Sequence, residues 1–117
     1  MAGTHEDAML IVELAKWGAM IDLGEASRTI FSEDFEPDGV EASDPAVQTM
    51  LTFNETVGTL VKNGLLDRDL VQDWLWVAGT WARVAPAARR ARERAGVPQL
   101  FENYEALAAG QSAGQLG

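Results

Sequence analysis

The chain contains no cysteine and only one histidine among its 117 residues. Without thiols there is no disulfide framework, no thiolate nucleophile and no cysteine-ligated metal. With His5 alone, close to the N-terminus, a Ser–His–Asp relay and a histidine-ligated zinc site both lack their parts. Basic residues are also scarce: nine Lys and Arg stand against eighteen Asp and Glu, for a net charge of −9. The field of such a surface repels phosphate backbones, so nucleic acid is not an expected partner. A long uncharged hydrophobic run is missing too. The longest apolar stretch, residues 8–23, carries Glu13, Lys16 and Asp22. A membrane span needs about 20 mostly apolar residues, and charges in its middle are costly. The first residues lack the basic start of a secretory signal. No membrane partner is therefore expected, and the absence of thiols fits a cytoplasmic location.

What is present suits one globular domain. Apolar residues make up 47% of the chain and charged residues 23%, enough for a continuous core without covalent staples. Alternating, β-branched runs are absent, so the expected fold is all-α, a compact bundle of four to six helices spanning residues 1–109. Residues 110–117, rich in glycine and small polar side chains, are expected to form a flexible tail.

The periodicity predicts a first helix from Glu6 to Leu23, apolar on two sides. At about 100° per residue, Leu10, Leu14, Trp17 and Ile21 share one strip, and Ala8, Val12, Ala15 and Ala19 share another. A helix of this kind lies between neighbours or at a subunit interface. Gly24 is placed to end it, and a short helix from Glu25 to Phe31 follows. Residues 32–44 read as an acidic surface loop. Asp44 or Ser43, ahead of Pro45, caps a third helix that runs to Asn63 and stops at Gly64. Its inner stripe is Val47, Met50, Leu51, Val57 and Val61, with Asn54 and Gly58 on the same side. Gly58 costs helix propensity of about 1 kcal/mol against alanine, a sacrifice explained by the close approach of another backbone. Asp67 caps a fourth helix, whose broad arc of Leu70, Trp74, Val77, Trp81 and Ala85 makes it the expected centre of the fold. Pro86 predicts a kink or break near Val84. An arginine-rich continuation ends at Gly96, and Pro98 opens a last helix that packs Leu100, Phe101, Tyr104 and Leu107.

Few features suggest chemistry. Asp34, Glu36, Asp38 and Gly39 match the start of an EF-hand loop, but Pro45 occupies the place of its bidentate glutamate, so calcium is not expected. The carboxylate pairs Asp69/Asp73 and Glu102/Glu105 fall on wet faces, where nothing raises a pKa for acid catalysis. No catalytic residue, metal or cofactor is therefore assigned, and the chain is not expected to be an enzyme. The arginines between Arg83 and Arg94 are read as partners of the acidic loop or of an acidic surface on another subunit. Trp76 falls among polar residues of the fourth helix, which suits either an interface anchor or cover by the C-terminal helix. Candidate interface residues are Trp76, Leu10, Leu14 and Trp17. Asn54, the one polar residue facing the core, and Trp81 are the candidate pocket residues, in a space between helices one, three and four.

Phe53, Asn54, Glu55 and Gly58, the turn Lys62-Asn63-Gly64-Leu65-Leu66-Asp67, and Asp73, Trp74 and Trp81 carry a resemblance. Over roughly residues 44–94 the pattern resembles small bacterial helical proteins classed as a domain of unknown function. The resemblance implies an all-helical fold and lends no catalytic residue. The function expected from the sequence is a structural or protein-interaction module that forms a homo-oligomer or binds a further protein. The alternative is a small-ligand-binding or sensory domain.

Overall fold

Six helices account for the fold in the computed structural model, which describes residues 3–111: α1 (His5–Met20), α2 (Leu23–Ile30), α3 (Pro45–Lys62), α4 (Arg68–Trp74), α5 (Val77–Ala95) and α6 (Glu102–Gln111). Among the described residues there is no strand. Residues 112–117 of the expected tail lie outside the described range, and Gly110 and Gln111 are the last turn of α6.

Several helix ends follow from local chemistry. The Asp44 carboxylate accepts from the backbone N–H groups of Ala46 and Val47, with Pro45 in the first turn where no N–H is needed. Gly64 and Gly96 take the left-handed conformation after α3 and α5. The Asp67 carboxylate accepts from Leu70 N–H at 3.0 Å and caps α4. Thr4 and Asp7 form a capping box on α1. Asp7 also accepts the backbone N–H of Asp67 at 2.9 Å, which ties the start of α1 to the start of α4. The Thr4 backbone N–H, then the Thr4 hydroxyl and the Asp67 N–H, hold the Asp7 carboxyl below its ordinary value.

Four boundaries differ from expectation. The first helix ends at Met20, and the left-handed residue that turns the chain is Asp22, at φ 59°, not Gly24, which lies inside α2. Aspartate tolerates that conformation better than most side chains. Gly18 gives the corner room, since a Cβ there would meet the Leu23 side chain at 3.2 Å and the Phe53 ring at 3.4 Å. The expected fourth helix is two helices, broken at Leu75 and Trp76, both outside helical backbone geometry. Pro86, the expected breaking point, lies within α5. Its ring leaves the carbonyl of Ala82, an exposed residue one turn back, without a helical N–H partner, and the helix continues through it. The last helix starts at Glu102, not Pro98, after Phe101 at a left-handed φ of 63°.

Splitting the fourth helix shifts the centre of the fold to α3, which packs on α2, α5 and α6. Val47, Met50, Leu51, Phe53 and Val57 are buried along it. Gly58 has the role its position implies: a Cβ would lie 2.5 Å from the Asn103 carbonyl oxygen, so the backbone of α6 rests directly on α3. One turn earlier, Glu55 reaches the start of α6, accepting from Tyr104 N–H at 2.9 Å and from the Asn103 amide at 2.9 Å. This carboxylate supplies the N-terminal cap that Phe101 has no side chain to provide.

Tyr104, the only tyrosine of the chain, is fully buried, with its hydroxyl 2.6 Å from Thr80 Oγ1. Burial pushes the phenol above its ordinary value of 10.0, and the Thr80 contact only partly opposes this. A folded-state value raised above the unfolded one gives stability that is complete below pH 10 and lost as the pH climbs toward the folded value. Stability is expected to fall above pH 10 by about 1.4 kcal/mol per pH unit, with phenolate absorbance appearing only as the chain unfolds. Tyr104→Phe should abolish that slope. Denaturant titrations across alkaline pH, read by helicity and by near-ultraviolet absorbance, measure both. Phenolate formation in a chain that keeps its helicity would contradict the burial argument.

Candidate functional site

The break between α4 and α5 places Trp76 outside the helical stack. Its indole lies over the Cα of Gly79, a position no residue with a Cβ could share without displacing the ring. The indole also stacks on Phe31, at the end of α2, with ring centroids 5.6 Å apart and planes 1° from parallel. Trp76 keeps 49% of its surface exposed and is not covered by α6. Behind the stacked pair opens a cleft of about 240 Å³ between α2, α3 and the α4–α5 break. Phe53, Trp74, Met50 and Asn54 line it, and no charged side chain does. Phe53 meets Trp74 edge-on at 6.2 Å and Trp17 at 5.2 Å, so the inner wall is fixed by ring packing.

Asn54 is 3% exposed. Its amide nitrogen donates to the Met50 carbonyl at 3.0 Å, one turn back on its own helix. Its amide oxygen takes no hydrogen bond among the described residues. Of the two expected pocket residues, the structure brings only Asn54 to this cleft. Trp81 is buried elsewhere, against Tyr104 at 4.9 Å and under the Arg92 guanidinium at 5.8 Å. The cleft also borders α2 and the break, not α1 as expected.

A second feature is the open side of α1. Leu10, Leu14 and Trp17, expected at an interface, lie on the strip that folds onto the core; Leu14 is buried and the other two are half-buried. The interface expectation for Leu10, Leu14 and Trp17 is thus corrected, since these larger side chains face inward. Ala8, Val12, Ala15 and Ala19 face outward, bordered along one edge by Met9 and Met20, the latter 81% exposed.

The arginine segment holds the acidic loop, as one of the two expected pairings had it. Arg94 pairs with Glu41 at 2.7 Å, and this hydrogen-bonded guanidinium holds the Glu41 carboxyl below its ordinary value. Arg90 donates to the carbonyls of Pro37 and Val40. Arg83 donates to the Ile30 carbonyl at 2.7 Å and lies over Phe35 at 5.3 Å. Arg92 bonds the Leu100 carbonyl and Glu105. These guanidinium groups are spent on the fold itself. His5 is exposed at the start of α1. Among the described residues no group of His, Cys, Asp or Glu is placed to hold a metal, and no helix is long and apolar enough to cross a membrane.

The family model described as a domain of unknown function (DUF4760) matches residues 5–111. The chain belongs to this family. No curated protein and no solved structure matches it. The DUF4760 match spans all six helices, well beyond the residues 44–94 that carried the resemblance in sequence. Within that stretch the signature residues of this DUF4760 chain each have a definite place, with Phe53 in the core, Glu55 on the start of α6, Gly58 under Asn103, and Gly64 and Asp67 in the α3–α4 turn. One residue that completes the cleft lies beyond the periodicity argument: Phe31 ends a short helix, and its partner Trp76 reaches it only through the fold.

Proposed function

We propose that this protein is a helical interaction module that self-associates, the outward strip of α1 pairing with the same strip of a second copy. The observation that carries the reading is the exposure of Ala8, Val12, Ala15 and Ala19, with Met9 and Met20, along one side of a sixteen-residue helix. The strip recurs at intervals of four, three and four residues, the spacing with which two helices pack closely at a small crossing angle. That spacing is the same in both directions. An antiparallel two-fold therefore sets Ala8 against Ala19 and Val12 against Ala15, as an isologous contact requires. Small side chains let the helices approach closely, and the two flexible methionines of each copy fill one edge. One helix per copy makes a contact at the small end of the interface range, so association on the order of micromolar is expected.

Val12→Asp would bury a carboxylate from each copy at the centre of the contact. Dimerisation should weaken by about a hundredfold or more with helicity unchanged, because Val12 is 54% exposed in the single chain. Val97→Asp, at an exposed apolar site in the α5–α6 turn, should leave the mass unchanged. Sedimentation equilibrium on the three proteins decides: equal masses for wild type and Val12→Asp would remove α1 as the contact.

A small-ligand site is the second reading. It is supported by the uncharged cleft at Asn54 and the unused amide oxygen within it.

A further inference from the structure

We infer that the cleft between Phe31, Trp76 and Asn54 binds a neutral, flat aromatic molecule of one or two rings that presents a single N–H or O–H donor to Asn54. This rests on the ligand-binding reading of the cleft and adds the class of ligand. Four observations converge on that class. Phe31, Phe53, Trp74 and Trp76 all line the space, so its walls favour stacking and edge contacts with another ring. No lining residue is charged, and a charged ligand would be left unpaired in an apolar site. The volume of about 240 Å³ falls below the usual range for drug-sized pockets and suits one or two fused rings. The Asn54 side chain is already committed through its nitrogen, which fixes the amide and leaves its oxygen as a preset acceptor.

The entrance is built for exchange. Trp76 belongs to no helix, is half exposed, and is held by Phe31 on one side and the bare Cα of Gly79 on the other. Its indole is the wall of the cleft that borders solvent, outside the buried core. The inner wall cannot shift as easily, because Phe53 is fully buried between Trp17 and Trp74. A ligand therefore meets a fixed floor carrying the acceptor and a half-exposed aromatic cover.

Indole and 1-methylindole test the class directly, since they differ in shape by one methyl group and only indole has the donor. Titration is followed by the indole N–H resonances of Trp74 and Trp76 in proton–nitrogen NMR spectra of the full chain. Indole should shift both resonances saturably and bind about tenfold more tightly than 1-methylindole. In Asn54→Leu that ratio should fall to about one, while binding of 1-methylindole persists. Trp76→Ala, a change at an exposed ring, should weaken both probes and preserve their ratio. Equal binding of the two probes to the wild type would overturn the donor class and leave a ligand site standing. No saturable shift with either probe would overturn the site as well. If Asn54→Leu fails to fold, the ratio on the wild type decides alone.

Discussion

Gln111→Leu is expected to destabilise the chain by about 3–5 kcal/mol, a large share of the total for a domain of this size. Gln111 is 1% exposed at the end of α6, and its amide closes the break between α4 and α5. Its oxygen accepts from Ala78 N–H at 2.8 Å; its nitrogen donates to the carbonyls of Gln72 at 2.9 Å and Leu75 at 2.7 Å. Those three backbone groups are ones that a continuous helix would have paired for itself. Leucine fills a similar volume and leaves all three without partners, at about 1–3 kcal/mol for each that stays dry. Gln111→Glu keeps the acceptor for Ala78 but turns an oxygen toward each carbonyl, so it should cost a comparable amount. Urea unfolding followed by helicity measures both. Loss of less than about 1 kcal/mol in each would mean that the break is held by something other than this amide.

Gly58→Ala is expected to destabilise by about 1–3 kcal/mol, opposite in sign to its local effect. In an isolated helix the change would add about 1 kcal/mol of stability. Here the new methyl would fall 2.5 Å from the Asn103 carbonyl oxygen and 2.7 Å from its carbon, both backbone atoms that cannot rotate away. Relief requires α6 to lift from α3. That movement strains the Glu55 bond to Tyr104 N–H and the packing of Tyr104 beneath it. The same unfolding measurement gives the sign, and a stabilised Gly58→Ala protein would disprove the backbone contact between α3 and α6.

These two residues show how differently sequence speaks about structure. Gly58 was legible: a glycine on the inner stripe of a strongly periodic helix implies a neighbour too close for a side chain. The all-helical fold, the Asp44 and Asp67 caps and the stops at Gly64 and Gly96 were legible for similar reasons, since each rests on chemistry within one turn. Gln111 was not, because its partners are 33 to 39 residues away in sequence. Periodicity likewise could not locate the α4–α5 break. The arc from Leu70 to Ala85 fits one helix, whereas the Trp76 stack on Phe31 and the Gln111 amide that bound the break are made only through the fold. Pro86 is the stronger helix breaker in the sequence, yet α5 continues through it. In the candidate site, Asn54 was legible as the polar exception on an apolar stripe. The cover of the cleft was not, because Phe31 and Trp76 meet only through the fold. For α1 both apolar strips were visible, but which one faces inward was not: Leu14 and Trp17 turn to the core, Trp17 against Phe53 of α3 at 5.2 Å, and Ala8, Val12, Ala15 and Ala19 turn to solvent.

The most direct test of self-association is the molar mass of the wild-type chain by light scattering across a dilution series through the micromolar range. The proposal predicts twice the chain mass of 12.7 kDa at high concentration, falling toward the single-chain value on dilution. A single-chain mass at every concentration would contradict it and leave the strip of α1 without a second copy to cover it.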